Sequence, residues 1–128
     1  MIKVLIVDDD EVVRDYLSHL LTRLGYEPYL ATNGAEGRAL MENPEIQVVI
    51  ADMYLPDMPD LSEWLEQLRV MSNGRPLIAI TGDASNELME MAKKAGVIAF
   101  LTKPFELTFI KKLLAKAMAP QTDENPPQ

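Results

Sequence analysis

The sequence predicts an α/β protein, a doubly wound parallel sheet of five strands flanked by five helices. Short β-branched runs alternate along the chain with segments of helical period, the pattern of strands joined by crossover helices. Three of the runs, around residues 4–7, 48–51 and 77–80, are almost wholly apolar, which suits strands covered on both faces. At 128 residues the chain has room for one domain, and a chain of that size builds a core without disulfide or metal staples.

The strands are expected at residues 3–7, 27–31, 48–51, 77–81 and 99–102, and the second, carrying Glu27 and Pro28, reads as an edge. The first helix is expected over 11–24, where Val13, Tyr16, Leu17, Leu20, Leu21 and Leu24 recur at helical spacing before Gly25 ends it. The second begins after Asn33-Gly34 and stops before Pro44. The third presents Leu61, Trp64, Leu65 and Leu68 on one face, and the fourth spans 87–95 with Gly96 behind it. In the fifth, over 106–118, Ile110, Leu113, Leu114 and Ala117 face inward and Lys111, Lys112 and Lys116 face solvent. Residues 120–128 contain three prolines and no large apolar side chain, so the expected organisation is one domain over 1–119 and a mobile tail or linker start over 120–128.

Apolar residues make up 48% and charged residues 25% of the chain, the balance of a globular protein rather than a disordered one. Without cysteine, disulfide frameworks, thiolate metal sites and cysteine nucleophiles are excluded. A net charge of −8 argues against direct contact with nucleic acid or anionic membrane and favours cations or basic surfaces as partners. The first apolar run meets Asp8 at once, too short for a secretory leader, and the expected location is cytoplasmic.

In a doubly wound sheet the functional groups lie beyond the carboxyl ends of the strands. Those ends carry Asp8, Asp9 and Asp10 after the first strand, Asp52 after the third, Thr81 after the fourth and Lys103 after the fifth. Two carboxylates about 4 Å apart repel by roughly 4 kcal/mol at an effective dielectric near 20, so several in one cleft need neutralising. Lys103 supplies one positive charge. A hard divalent ion is the natural supplement, and Mg2+ commonly shares its shell with a phosphate. A carboxylate nucleophile, a metal, an ammonium and a hydroxyl together suit phosphoryl transfer, and Asp52 is the most central acid.

Read as motifs, Val7-Asp8-Asp9-Asp10, Asp52-Met53-Tyr54-Leu55-Pro56, Ile80-Thr81-Gly82 and Lys103-Pro104-Phe105 resemble the receiver domain of bacterial two-component response regulators, of which the single-domain chemotaxis regulator is an example. The resemblance runs over residues 2–118. It implies a flavodoxin-like sheet of order 2-1-3-4-5, Asp52 as phosphoacceptor, and Mg2+ held by Asp8, Asp9, Asp52 and the backbone carbonyl of Tyr54. Thr81 and Lys103 would bind the phosphoryl group, Thr81 and Phe100 would form the switch, and Tyr54 and Asp83 would tune loss of the phosphoryl group. The implied function is a signalling switch rather than an enzyme, apart from its own phosphoryl transfer and slow autodephosphorylation. Its donor would be a sensor histidine kinase or a phosphotransfer protein, and its output would leave from the face of helix 4, strand 5 and helix 5, toward an unidentified target, as a monomer or a phosphorylation-dependent dimer.

Plainer readings stand beside these. One of Asp8 to Asp10 is expected to cap the first helix, Phe100 also has an ordinary reading as a core aromatic, and His19 lies on the solvated face of the first helix. Asp60 stands where the family usually has glycine, the period of the third helix suggests one inserted residue, and Asp60 with Glu63 suggests a capping box instead. Val97-Ile98 replaces acidic residues found in many winged-helix-linked members and reads either as a partner patch or as core. A haloacid dehalogenase type of phosphatase wants a second aspartate two residues after the nucleophile, where this chain has Tyr54. The alternative function is a receiver-like interaction scaffold working without phosphorylation.

Overall fold

The computed structural model describes residues 1–82, 85–102 and 107–118. Strands and helices alternate throughout as β1 (Lys3–Val7), α1 (Glu11–Arg23), β2 (Glu27–Ala31), α2 (Gly34–Met41), β3 (Ile46–Asp52), α3 (Leu61–Ser72), β4 (Leu77–Thr81), α4 (Asn86–Lys94), β5 (Val97–Thr102) and α5 (Leu107–Ala117). The strands form a parallel sheet of order β2-β1-β3-β4-β5, as expected, with the Pro28 strand at an edge. None of the described helices is long and apolar enough to cross a membrane.

The period-2 alternation of the inner strands divides the core in two. Leu5, Val7, Val49, Ala51, Leu77 and Ala79 pack on one face against Met41 of α2, Trp64, Leu65 and Leu68 of α3, and Leu88 and Ala92 of α4. Val4, Ile6, Val48, Ile50, Ile78 and Ile80 pack on the other, against Leu17 and Leu21 of α1 and Ile110 and Leu114 of α5. Burial on both sides explains why these strands read as continuous apolar runs. Tyr16, placed inward by its spacing, is exposed. The buried stripe of α1 is narrower, formed by Val13, Leu17, Leu20 and Leu21, and Tyr16 falls at its margin.

Two strands begin earlier than the sequence pattern suggests, and both departures have one cause. The register steps from Lys3↔Ile46 to Val4↔Val48 and from Leu77↔Val97 to Ile78↔Ala99. Gln47 and Ile98 are therefore extra residues at bulges, which break the alternation that sequence reading relies on. The second bulge also separates the Val97-Ile98 pair, since Val97 is 5% exposed and Ile98 56%. Half of that pair is core, and the other half is bulge-exposed surface.

Helix ends follow local chemistry. Gly25, at φ 92°, lets the N–H of Tyr26 donate to the Leu21 carbonyl at 2.9 Å and its own N–H donate to Thr22 at 3.1 Å, a Schellman closure. Asp10 caps α1 by accepting from the Val12 N–H at 2.9 Å. Asp60 caps α3 by accepting from the Glu63 N–H at 3.1 Å, one half of the expected box. At the amino ends of the strands, the Arg75 guanidinium donates to the carbonyls of Met41 at 2.6 Å, Ser72 and Met71 at 2.8 Å, and Asn43 and Ile46 at 3.2 Å. It binds the end of α2, the turn into β3 and the end of α3 to the start of β4.

Candidate functional site

The carboxyl ends of β1 and β3 bring three acidic residues together. Asp8 follows β1, its N–H donating to the Ala31 carbonyl at 3.1 Å so that the strand pairing continues one residue further. Its side chain turns inward, is fully buried, and accepts from the Asp10 N–H at 2.9 Å. Asp9 is exposed, whereas Asp52, the last residue of β3, is half-buried. One carboxylate oxygen from each of Asp8, Asp9 and Asp52 lies within 4.8 Å of the others. Asp10 is engaged as the cap of α1.

At such spacing each charged pair repels by roughly 3 to 4 kcal/mol at an effective dielectric near 20. All-oxygen donors suit a hard divalent cation. Two Mg–O bonds of about 2.1 Å span at most about 4.2 Å, so oxygens within 4.8 Å need move by less than an ångström to share one ion. The three acids therefore fit Mg2+.

Two backbone ties hold the acids in place. The Arg14 guanidinium, from the first turns of α1, donates through Nη1 to the Asp8 carbonyl at 2.8 Å. The indole of Trp64, from α3, donates through Nε1 to the Asp52 carbonyl at 2.9 Å. The Tyr54 N–H donates to Asp52 Oδ1 at 3.0 Å. The loop that follows turns back through a Met58 N–H bond to the Leu55 carbonyl at 2.9 Å. It then reaches α2, where the Asp57 carboxylate accepts from the N–H groups of Gly34 at 2.9 Å and Ala35 at 3.1 Å.

Of the residues singled out from the sequence, Asp8, Asp9 and Asp52 meet in one cluster. Tyr54 lies two residues beyond with its side chain 54% exposed. Thr81 ends β4 and is buried. Phe100 pairs with Ala79 on β4, two residues before Thr81, so Thr81 and Phe100 share the face of the sheet covered by α2, α3 and α4, where Phe100 packs partly buried. Lys103 and Asp83 lie outside the described residues. Sequence reading overlooked Arg14, Trp64 and Asp57. A signal existed for Trp64, because a buried indole N–H needs an acceptor; for Arg14 and Asp57 the partners lie on other elements and leave no periodic trace.

The comparisons agree with this geometry. The family model of the response regulator receiver domain matches residues 4–115. The response regulator protein PilR of Pseudomonas aeruginosa is 33% identical over 129 residues, covering 97% of this chain and 28% of that protein. The chemotaxis protein CheY4 of Vibrio cholerae superposes with a TM-score of 0.83 at 32% identity, covering 92% of this chain and 99% of that one. The receiver domain of the sensor histidine kinase PA1611 of Pseudomonas aeruginosa, solved with a magnesium ion coordinated in its active site cleft, superposes with a TM-score of 0.77 at 27% identity, covering 89% of this chain and 94% of that one. The chain spans only 48%, 3% and 28% of the first curated relatives it matches. With the profile, the sheet order and the acidic cluster in agreement, the chain belongs to the response regulator receiver domain family, a module of two-component phosphotransfer signalling.

Proposed function

We propose that this receiver domain is a switch thrown by phosphorylation of Asp52, with a sensor histidine kinase or a phosphotransfer protein as donor. The observation that carries the reading is the meeting of Asp8, Asp9 and Asp52 at oxygen separations within 4.8 Å, at the carboxyl ends of β1 and β3. An Asp52 carboxylate oxygen attacks phosphorus and forms the new P–O bond. The donor P–N bond breaks, and its electron pair stays on the imidazole nitrogen. The Tyr54 N–H on Oδ1 orients the carboxylate for that attack. Attack of water on phosphorus then breaks the acyl P–O bond, releases inorganic phosphate and restores the free carboxylate, a slow self-catalysed loss rather than turnover of a substrate.

Asp8, Asp9, Asp52 and the backbone carbonyl of Tyr54 would hold Mg2+, which when bound neutralises charge gathering on the phosphoryl oxygens. Lys103 and Thr81 would bind the phosphoryl group. Burial of Thr81 at the end of β4, on one face with Phe100, supports a steric route by which the two change position together, repacking the α4, β5 and α5 face for a partner. Tyr54 and Asp83 would set the phosphorylated lifetime. Residues 1–119 would form the module, with 120–128 as tail or linker, at work in the cytoplasm.

Incubation with acetyl phosphate tests the reading. One phosphoryl group should be added in Mg2+, and none in excess chelator or in Asp52→Asn. Absence of labelling together with absence of Mg2+ binding supports the scaffold alternative, and repeated turnover of phosphate esters supports an enzyme.

A further inference from the structure

We propose that Trp64 is a positioning residue for the acceptor, fixing the aim of Asp52 through its indole N–H; the inference rests on the reading of Asp52 as the phosphorylated residue. The peptide unit that joins Asp52 to Met53 is held at both ends. Its N–H, from Met53, donates to the Ile80 carbonyl of β4 at 3.0 Å. Its carbonyl, from Asp52, accepts from Trp64 Nε1 at 2.9 Å. A peptide plane so gripped holds the Cα of Asp52, the pairing of Asp52 with Ile80 of β4 restrains the strand at that residue, and the Tyr54 N–H on Oδ1 orients the carboxylate on that base.

The donor is itself rigid. Trp64 has no exposed surface and is the largest fully buried side chain. It belongs to the same buried core cluster as Leu55, Leu65, Leu68 and Leu88. Its backbone N–H bonds the Asp60 carbonyl at 3.0 Å in the first turn of a helix capped by Asp60. A buried indole N–H and a peptide carbonyl satisfy each other here, so neither leaves an unmet polar group in the core. Catalysis by positioning is sensitive to such support, because small displacements of the attacking atom cost large factors in rate.

The test exploits the fact that Trp64 is the sole tryptophan. Biosynthetic replacement of tryptophan by β-(benzo[b]thien-3-yl)alanine keeps the bicyclic shape and deletes only the N–H donor, and Trp64→Phe provides a second variant lacking the donor. Leu68→Val serves as control, since Leu68 is buried on the same helix but has no tie to Asp52. Rates of phosphorylation by acetyl phosphate at saturating Mg2+ are compared per folded molecule, with melting temperatures recorded alongside. The expected result is a rate reduced about five- to tenfold in both donor-less proteins and unchanged in Leu68→Val, however the melting temperatures rank. Equal rates in all four proteins overturn the positioning role while leaving the acceptor reading intact. An unmodified protein that takes no label overturns both, and labelling of the unmodified protein lost in Asp52→Asn separates the two failures.

Discussion

Gly37 of α2 rests directly on Val7 of β1, where a Cβ would stand 2.9 Å from both methyl carbons of the valine. Val7 is fully buried, β-branched and stiff, and it immediately precedes Asp8. Gly37→Ala gains up to about 1 kcal/mol of helix propensity but forces the strand and helix apart, a cost of roughly 1 to 3 kcal/mol. The expected outcome is net destabilisation in urea titration. Combining it with Val7→Ala should cost less than the sum of the two single changes, because the second change removes the methyls that the first one strikes.

The Asp57 carboxylate caps α2 from another segment of the chain, covering the N–H groups of Gly34 and Ala35 while Asn33 covers that of Glu36 at 2.8 Å. An acid at a helix N-terminus also complements the dipole. Asp57→Ala should lower stability by roughly 1 kcal/mol, the usual worth of a helix cap, with Asp57→Asn recovering part of it. An unshifted urea midpoint in Asp57→Ala would mean that this bridge contributes nothing.

Tyr54 donates its N–H to Asp52 Oδ1 and is 54% exposed. If the ring screens the acyl phosphate from water, Tyr54→Ala keeps the backbone bond and removes that screen. Decay of the phosphorylated form should accelerate about threefold, equal to roughly 0.65 kcal/mol of barrier. Equal or slower decay in the variant refutes the screening role.

Acid should weaken the fold through two helix ends. The Thr32 N–H and then its hydroxyl hold the Glu36 carboxyl below its ordinary 4.5, and the Glu63 N–H and then the Ser62 hydroxyl hold Asp60 below 3.8. Both groups bind protons less readily folded than unfolded, so their contribution is complete above those ordinary values and lost as the pH falls through the folded ones. Between about pH 5 and pH 3, the stability of the parent should fall more steeply than that of the double variant Glu36→Gln and Asp60→Asn, measured by urea midpoint across the range.

Most of this architecture is legible in the sequence because the inner strands are buried on both faces and announce themselves as apolar runs, while Gly25 and Gly96 mark where helices stop. The starts of β3 and β5 are not, since Gln47 and Ile98 sit at bulges whose register depends on the neighbouring strand. Asp8, Asp9 and Asp52 are legible because in a parallel sheet the carboxyl ends of the strands lie at one end of the sheet. Their supports are hidden for a different reason. Arg14 and Asp57 act through backbone groups on other elements, and backbone groups look alike in any sequence. Trp64 reads as one more apolar residue on the stripe of α3 until its N–H is asked for a partner.

If Asp52 itself takes the phosphoryl group, the modification must sit at residue 52, and its position can be read chemically. After acetyl phosphate treatment in Mg2+, borohydride reduction converts an aspartyl phosphate to homoserine, which peptide mass spectrometry assigns to a position. Homoserine at residue 52, with Asp8 and Asp9 intact, is the predicted result. Homoserine at either of those positions, or an unconverted Asp52 in labelled protein, would contradict it.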